Sequence, residues 1–183
     1  MHPAELVIDA CSLINLYATE QEVLVLKTIQ VRLVTTPQAA GEVLYRYGPI
    51  DNEGQRVKLP ISLKGLISAK LLKIVPLDDG LTDYLVNAVT AGLRDADASV
   101  VALAQGLGHP LASDDNKVRK ISARLIPAPP LESTLGLLRR MAETVGYTSR
   151  QIKALIAQLA WSGNFIIPKT DPNRAWYEAH GAG

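Results

Sequence analysis

Short apolar runs and helix-period stripes alternate along the chain. Leu6-Val7-Ile8, stopped by Asp9, reads as a buried strand, and Cys11 to Ala18 as a helix. Thr19-Glu20-Gln21-Glu22 has the spacing of a capping box and predicts a helix to about Ile29. Val31 to Val34 is a second strand. Thr36-Pro37 then starts a helix that carries Glu42 and runs to about Tyr47, Thr36 capping and Pro37 fitting the first position. Gly48 to Pro60, with two prolines, Gly54 and Asp51-Asn52, predicts a loop. Ile61 to Ala69 reads as a helix and Leu71 to Val75 as a third strand.

In the second half, Asp78-Asp79 precede a helix to about Ala91, and Asp95 caps a helix from Ala96 to Gly106. Leu111-Ala112 is a minimal strand before Ser113-Asp114-Asp115, and Asn116 to Ala123 is a short basic helix. Leu125-Ile126 reads as a last strand, closed by Pro127, Pro129 and Pro130. Helices follow from Glu132 to Thr144 and, behind a second capping box at Thr148-Ser149-Arg150-Gln151, to about Trp161; the last fifteen residues look irregular. Strands alternating with helices predict an α/β, mainly parallel sheet. Ligands of such sheets bind beyond the carboxyl ends of the strands, which selects Asp9 and the Asp114-Asp115 pair.

Composition narrows the classes. Apolar residues make up 48% of 183, enough for a sizeable core. One cysteine excludes a disulfide framework and a multi-cysteine zinc site. Glu5 and Asp9 interrupt the first apolar run, so neither a signal peptide nor a membrane span is expected, and a cytoplasmic protein is. The net charge of +1 conceals blocks. Residues 54–77 hold five basic side chains and no acid, residues 78–115 seven acids and one base, and residues 116–169 nine bases and two acids. Such blocks suit an acidic pocket between basic banks that hold a polyanion, unless helix packing interleaves them.

Asp9, Glu42, Asp97 and Asp114-Asp115 each follow a strand or sit early in the next helix. Singly, each reads as a carboxylate favoured by a helix dipole. Asp9, Glu42 and Asp97, however, lie among small apolar residues, and no base accompanies Asp9 or Glu42 locally. A buried carboxylate is costly unless paired or bound to a cation. A hard ion such as Mg²⁺ or Mn²⁺, which takes carboxylate oxygens and water, resolves the group as a whole.

At these residues the chain resembles the PIN domain, a small three-layer α/β nuclease fold. The resemblance covers about residues 5–126 and rests on Leu6-Val7-Ile8-Asp9-Ala10-Cys11-Ser12, Gly41-Glu42-Val43-Leu44, Asp95-Ala96-Asp97 with its apolar helix, and Pro110-Leu111-Ala112-Ser113-Asp114-Asp115. It implies an acidic quartet of Asp9, Glu42, Asp97 and Asp115, both catalytic and metal-holding, with Mg²⁺ or Mn²⁺ as cofactor. Ser12, Ser113, Asp114 and Asp95 would support it, and Asp114 competes with Asp115 for the fourth place. Lys58, Lys64, Lys117 and Arg119 in the basic blocks would bind RNA.

The implied activity is metal-dependent endoribonuclease action, as the toxin of a VapBC-like toxin–antitoxin pair with a small antitoxin partner and a homodimeric form. A housekeeping nuclease of RNA processing and a non-catalytic RNA-binding module are the alternatives. Residues 1–126 would form the nuclease domain and 127–183 a helical C-terminal extension packed on it. Other chemistry is thin: Cys11 has no neighbouring histidine and reads as a small buried packing residue, His2, His109 and His180 lack ligand spacing, and Trp161 and Trp176 read as packing anchors.

Overall fold

The computed structural model describes residues 3–181, so His2 lies outside the described residues. The chain begins β1 (Ala4–Ile8), α1 (Ala10–Ala18), α2 (Glu22–Thr28), β2 (Val31–Thr35) and α3 (Pro37–Glu42). A hairpin of β3 (Tyr45–Ile50) and β4 (Arg56–Pro60) follows, then α4 (Lys64–Ser68) and β5 (Leu72–Ile74). Next come α5 (Thr82–Thr90), α6 (Asp95–Leu107), β6 (Leu111–Ala112), α7 (Asn116–Ser122) and β7 (Leu131–Glu132). The chain closes with α8 (Thr134–Val145), α9 (Ser149–Gly163) and α10 (Arg174–Gly181).

Five strands form the central sheet in the order β5-β2-β1-β6-β7, every neighbouring pair parallel. Parallel pairs need crossover connections, and helices covering both faces demand strands that are apolar throughout. Val7 and Ile8 at the centre are fully buried, as are Leu33 and Leu111 on the flanking strands. From β1 the chain first builds outward to β2 and β5, then returns to the other side of β1 to lay down β6 and β7. Strand order therefore reverses between β1 and β6. The crevice beyond their carboxyl ends is where an open parallel sheet binds its ligand.

The main apolar cluster joins Leu6, Val7, Ile8, Leu13 and Leu33 with Leu135, Leu138, Met141, Leu155 and Leu159. Helices α8 and α9 thus complete the same core as the sheet. The second capping box forms as predicted: Thr148 Oγ1 accepts from Gln151 N–H, and Gln151 Oε1 accepts from Thr148 N–H.

The structure corrects several local expectations. The first capping box does not form. Thr19 instead donates its hydroxyl to Leu16 C=O at the end of α1, and α2 starts from Gln21 without a side-chain cap. Helix α3 stops at Glu42, because Tyr45-Arg46-Tyr47 enters a strand that aromatic residues favour. The presumed loop 48–60 is mostly the β3–β4 hairpin. Pro49 and Pro60 are tolerated because both strands are edges of a two-stranded ribbon.

The hairpin's bend is made by Asp51, whose Oδ1 accepts from the N–H groups of Glu53 and Gln55, and by Gly54 at φ +80°. Leu125-Ile126 is not a strand, and Ile126 is 90% exposed. Three prolines without N–H delay pairing until Leu131, and Leu111 N–H donates to Pro130 C=O there. Arg94, not Asp95, holds the cap position of α6, and Asp95 is its first residue. The C-terminal residues described as irregular include α10.

Candidate active site

Asp9 sits between the end of β1 and the start of α1. Its N–H donates to Ala112 C=O on β6, and its Oδ1 accepts from Ser12 N–H at 2.7 Å, capping α1. The residue is 1% exposed, and its Oδ2 is buried with no hydrogen-bond partner. The Ser12 hydroxyl beside it is likewise buried and unpartnered. Burial pushes the Asp9 carboxyl up to about 7, and the charge of Asp114 adds to this, while the hydroxyl of Ser113 and the amide of Ser12 hold it down.

Neighbouring elements bring the other acids to the same end. Ser99 Oγ on α6 donates to Ala96 C=O, so the 2.6 Å contact between Thr36 Oγ1 and Ser99 Oγ has Thr36 as donor. That bond ties the cap of α3 to the first turns of α6. It fixes the helix ending in Glu42 against the helix carrying Asp97. Burial raises the pKa of half-buried Asp97, and the charges of Asp115 and Glu42 raise it further. These three carboxylates therefore share one electrostatic environment. Glu42 is exposed, as is Asp115.

Asp114 and Asp115 part company. Asp115 caps α7, its Oδ1 accepting from the N–H groups of Lys117 and Val118, and it faces solvent. Asp114 turns inward, 8% exposed. It accepts from Asn15 Nδ2 at 2.8 Å, Thr134 N–H at 2.9 Å and Thr134 Oγ1 at 2.5 Å, so both its oxygens are engaged. Ser113 Oγ accepts from Asp115 N–H. Asp95 is exposed at the first turn of α6.

Cys11 is exposed rather than buried. The protein crowding its thiol, then Asp9, Asp114, Asp115 and Asp97, push it up to about 12, so it stays a neutral thiol at the rim of the acids. Of the basic residues, Arg119 spends its guanidinium internally, donating to the carbonyls of Ser113 and Glu132. Lys117 is exposed and near enough to Asp97 to lower that carboxyl's pKa in part. Lys58 lies on β4 with its Nζ 4.3 Å from the Tyr45 ring centroid, and Lys64 is the first residue of α4.

Two features went unread in the sequence. Asp171, in the segment before α10, is 5% exposed, keeps Oδ2 unpartnered and contributes to the raised pKa of Asp114. Its only signal was an Asp-Pro-Asn turn in a stretch without periodicity. The other is the pair Tyr45 and Tyr47, which the helix predicted to about Tyr47 includes and which lie instead on β3.

A sequence model of the DUF3368 family, a PIN domain, matches residues 5–173. The chain belongs to the PIN-domain family. The match extends well beyond residue 126 and takes in β7, α8, α9 and Asp171, so the family's unit here includes most of the C-terminal helices. The crystal structure of PAE2754 from Pyrobaculum aerophilum is similar at 19% identity, with 76% of this chain and 90% of that one covered and a TM-score of 0.49. None of the curated proteins matches. The PIN domain is a nuclease fold, and such domains typically work with divalent metal. In this PIN domain no three carboxylate, thiol or imidazole side chains among the described residues stand close enough to hold one ion by themselves. The donor set nevertheless fits a hard cation. It consists of carboxylate and hydroxyl oxygens, with the buried Asp9 Oδ2 lacking any protein partner. Mg²⁺ keeps several waters and takes only one or two carboxylates, so a tight protein trio is not required. No helix among the described residues is long and apolar enough to cross a membrane.

Proposed function

We propose that the protein is a metal-dependent endoribonuclease and the toxin of a toxin–antitoxin pair. The observation that carries the nuclease reading is Asp9: a fully buried carboxylate with one unpartnered oxygen, at the crevice where strand order reverses, next to further acids. Asp9 and Asp97 would hold Mg²⁺ or Mn²⁺, with Asp115 and Glu42 completing the set through water. Such an ion lowers the pKa of water and neutralises charge gathering on phosphate oxygens. Ser12 orients Asp9 through its N–H, with its buried hydroxyl beside the carboxyl; Ser113 steadies Asp115. Asp114 keeps the fold of the site and is not assigned to the metal, because both oxygens are occupied. RNA is the substrate class, with Lys58 on β4 and Lys117 near Asp97 supplying phosphate contacts; Arg119 is the weakest of the basic candidates, being used internally.

Purified protein is expected to cleave single-stranded RNA internally with Mg²⁺ or Mn²⁺ and to stop when chelator is added. Cleavage that persists in chelator would overturn the metal reading. The toxin role, with a homodimer restrained by a small antitoxin, is supported by the motif resemblance alone. Expression in a bacterial host should slow growth, and co-expression of the adjacent reading frame should restore it. Growth unaffected by active protein would favour a housekeeping nuclease.

A further inference from the structure

A cleft of about 390 Å³ includes Glu42 in its wall and is further lined by Leu44, Tyr45 and Tyr47 of the hairpin segment, by Ile14 and by the end of α9 with Asn164. The two tyrosines alternate along β3, so they project from one face of the hairpin. Their rings meet edge to face with centroids 5.6 Å apart. Each carries a cation: the Arg56 guanidinium is 3.9 Å from the Tyr47 centroid, and Lys58 Nζ is 4.3 Å from that of Tyr45.

This arrangement is held rather than left loose. Arg56 donates to Trp161 C=O and to Asn164 Oδ1, and Trp161 Nε1–H donates to Gly48 C=O. Trp161, 44% exposed, therefore anchors α9 to the hairpin. Gly48 admits Leu59 so closely that an added Cβ would lie 2.8 Å from Leu59 Cδ1, which keeps the ribbon compact at this anchor.

We infer that this cleft is a nucleobase subsite, in which a base of single-stranded RNA stacks on one ring of the Tyr45–Tyr47 pair, whose planes stand at 80°, next to the phosphate being cut. The inference rests on the ribonuclease reading above. The charge pattern selects the base as occupant. Glu42 in the wall repels phosphate but not a neutral base, while Lys58 beside Tyr45 supplies positive charge for a phosphate flanking a stacked base, and Arg56, held by Trp161 and Asn164, fixes the Tyr47 ring. Stacking on aromatics next to a basic track is the sequence-tolerant way proteins hold single strands. Fixed rings and a fixed guanidinium also lower the ordering cost of binding.

The test measures binding of a short fluorescent single-stranded RNA, intact or with one abasic ribose at each position in turn, to an Asp9→Asn background that prevents cutting. Cleavage kinetics on the otherwise native protein run in parallel. One position should lose about tenfold in affinity when its base is removed. Tyr45→Ala with Tyr47→Ala should bind intact and abasic RNA equally weakly, while Tyr45→Phe with Tyr47→Phe should restore the difference, which a mere folding role would not produce. In cleavage, the alanine pair should raise KM more than it lowers kcat. If native protein cuts RNA but no abasic position weakens binding, or the alanine pair leaves the difference intact, the subsite is overturned and the nuclease reading stands. The subsite also falls if the alanine pair changes the protein's mass in solution and not its RNA affinity. If native protein neither binds nor cuts RNA with any metal, both readings fall together.

Discussion

Replacing Asp9 by asparagine is expected to lower RNA cleavage by roughly a thousandfold or more, because metal-borne charge stabilisation is worth several kcal/mol in the transition state. The same change should leave the fold at least as stable at pH 8. Burial raises the Asp9 carboxyl from an unfolded value of 3.8 to about 7. Between those values the native state binds a proton that the unfolded state releases, so stability falls as pH rises through this window and is flat above it. A shift of that size corresponds to a cost on the order of 4 kcal/mol above pH 7. Asparagine does not titrate and escapes this cost, but its Nδ2 inherits a position with no acceptor, which returns about 1–3 kcal/mol. The net expectation is a melting temperature at pH 8 equal to or above that of native protein, with a flatter pH dependence. Added Mn²⁺ should raise the melting temperature of native protein and leave that of Asp9→Asn unchanged. Cleavage at the native rate by the variant would remove Asp9 from the site.

The parts of this molecule that could be read from sequence are those where a local pattern and the tertiary structure ask for the same thing. Leu6-Val7-Ile8 is apolar without alternation because β1 is covered on both faces, and Asp9 must then mark where the strand meets the crevice. Thr36-Pro37 and Thr148-Gln151 announce helix starts through hydrogen bonds made within four residues. The misreadings have a common physical origin in long-range partners. Pro49 and Pro60 look like breakers until the ribbon is seen to have two free edges. Thr19 donates its hydroxyl to Leu16 C=O at the end of α1 and accepts from Gln21 N–H, one residue short of the Glu22 N–H that a capping box requires. Arg119 looks like any solvated cation, yet two carbonyls brought together by β6 and β7 claim it. The acids followed the same rule. Their positions after strands were visible, whereas which oxygen each leaves free depends on Asn15 and Thr134, distant in sequence.

That dependence is sharpest at Asp114, whose removal is expected to destabilise the protein far more than loss of any exposed acid. Thr134 is the first residue of α8, so its N–H is one of the amides that a helix leaves without an internal partner. Asp114 supplies that partner and places negative charge at the positive end of the helix. It also accepts from the Thr134 hydroxyl and from Asn15 on α1, joining the end of β6 to two helices. In Asp114→Ala three donors lose their acceptor in the interior. The Thr134 hydroxyl retains a weak alternative in Ser12 C=O at 3.4 Å, but the amide of Thr134 has none of comparable geometry. Relief from burying a carboxylate offsets part of the loss, leaving about 3 kcal/mol. For a chain of this size that lowers the melting temperature by roughly 6–12 °C. Asp114→Asn keeps one acceptor and should lose less, about 1–2 kcal/mol. It should still gain stability from Mn²⁺, whereas Asp115→Asn should gain less than native protein does. The opposite pattern, with metal stabilisation lost in Asp114→Asn and kept in Asp115→Asn, would move the fourth metal-holding position from the cap of α7 to the buried carboxylate.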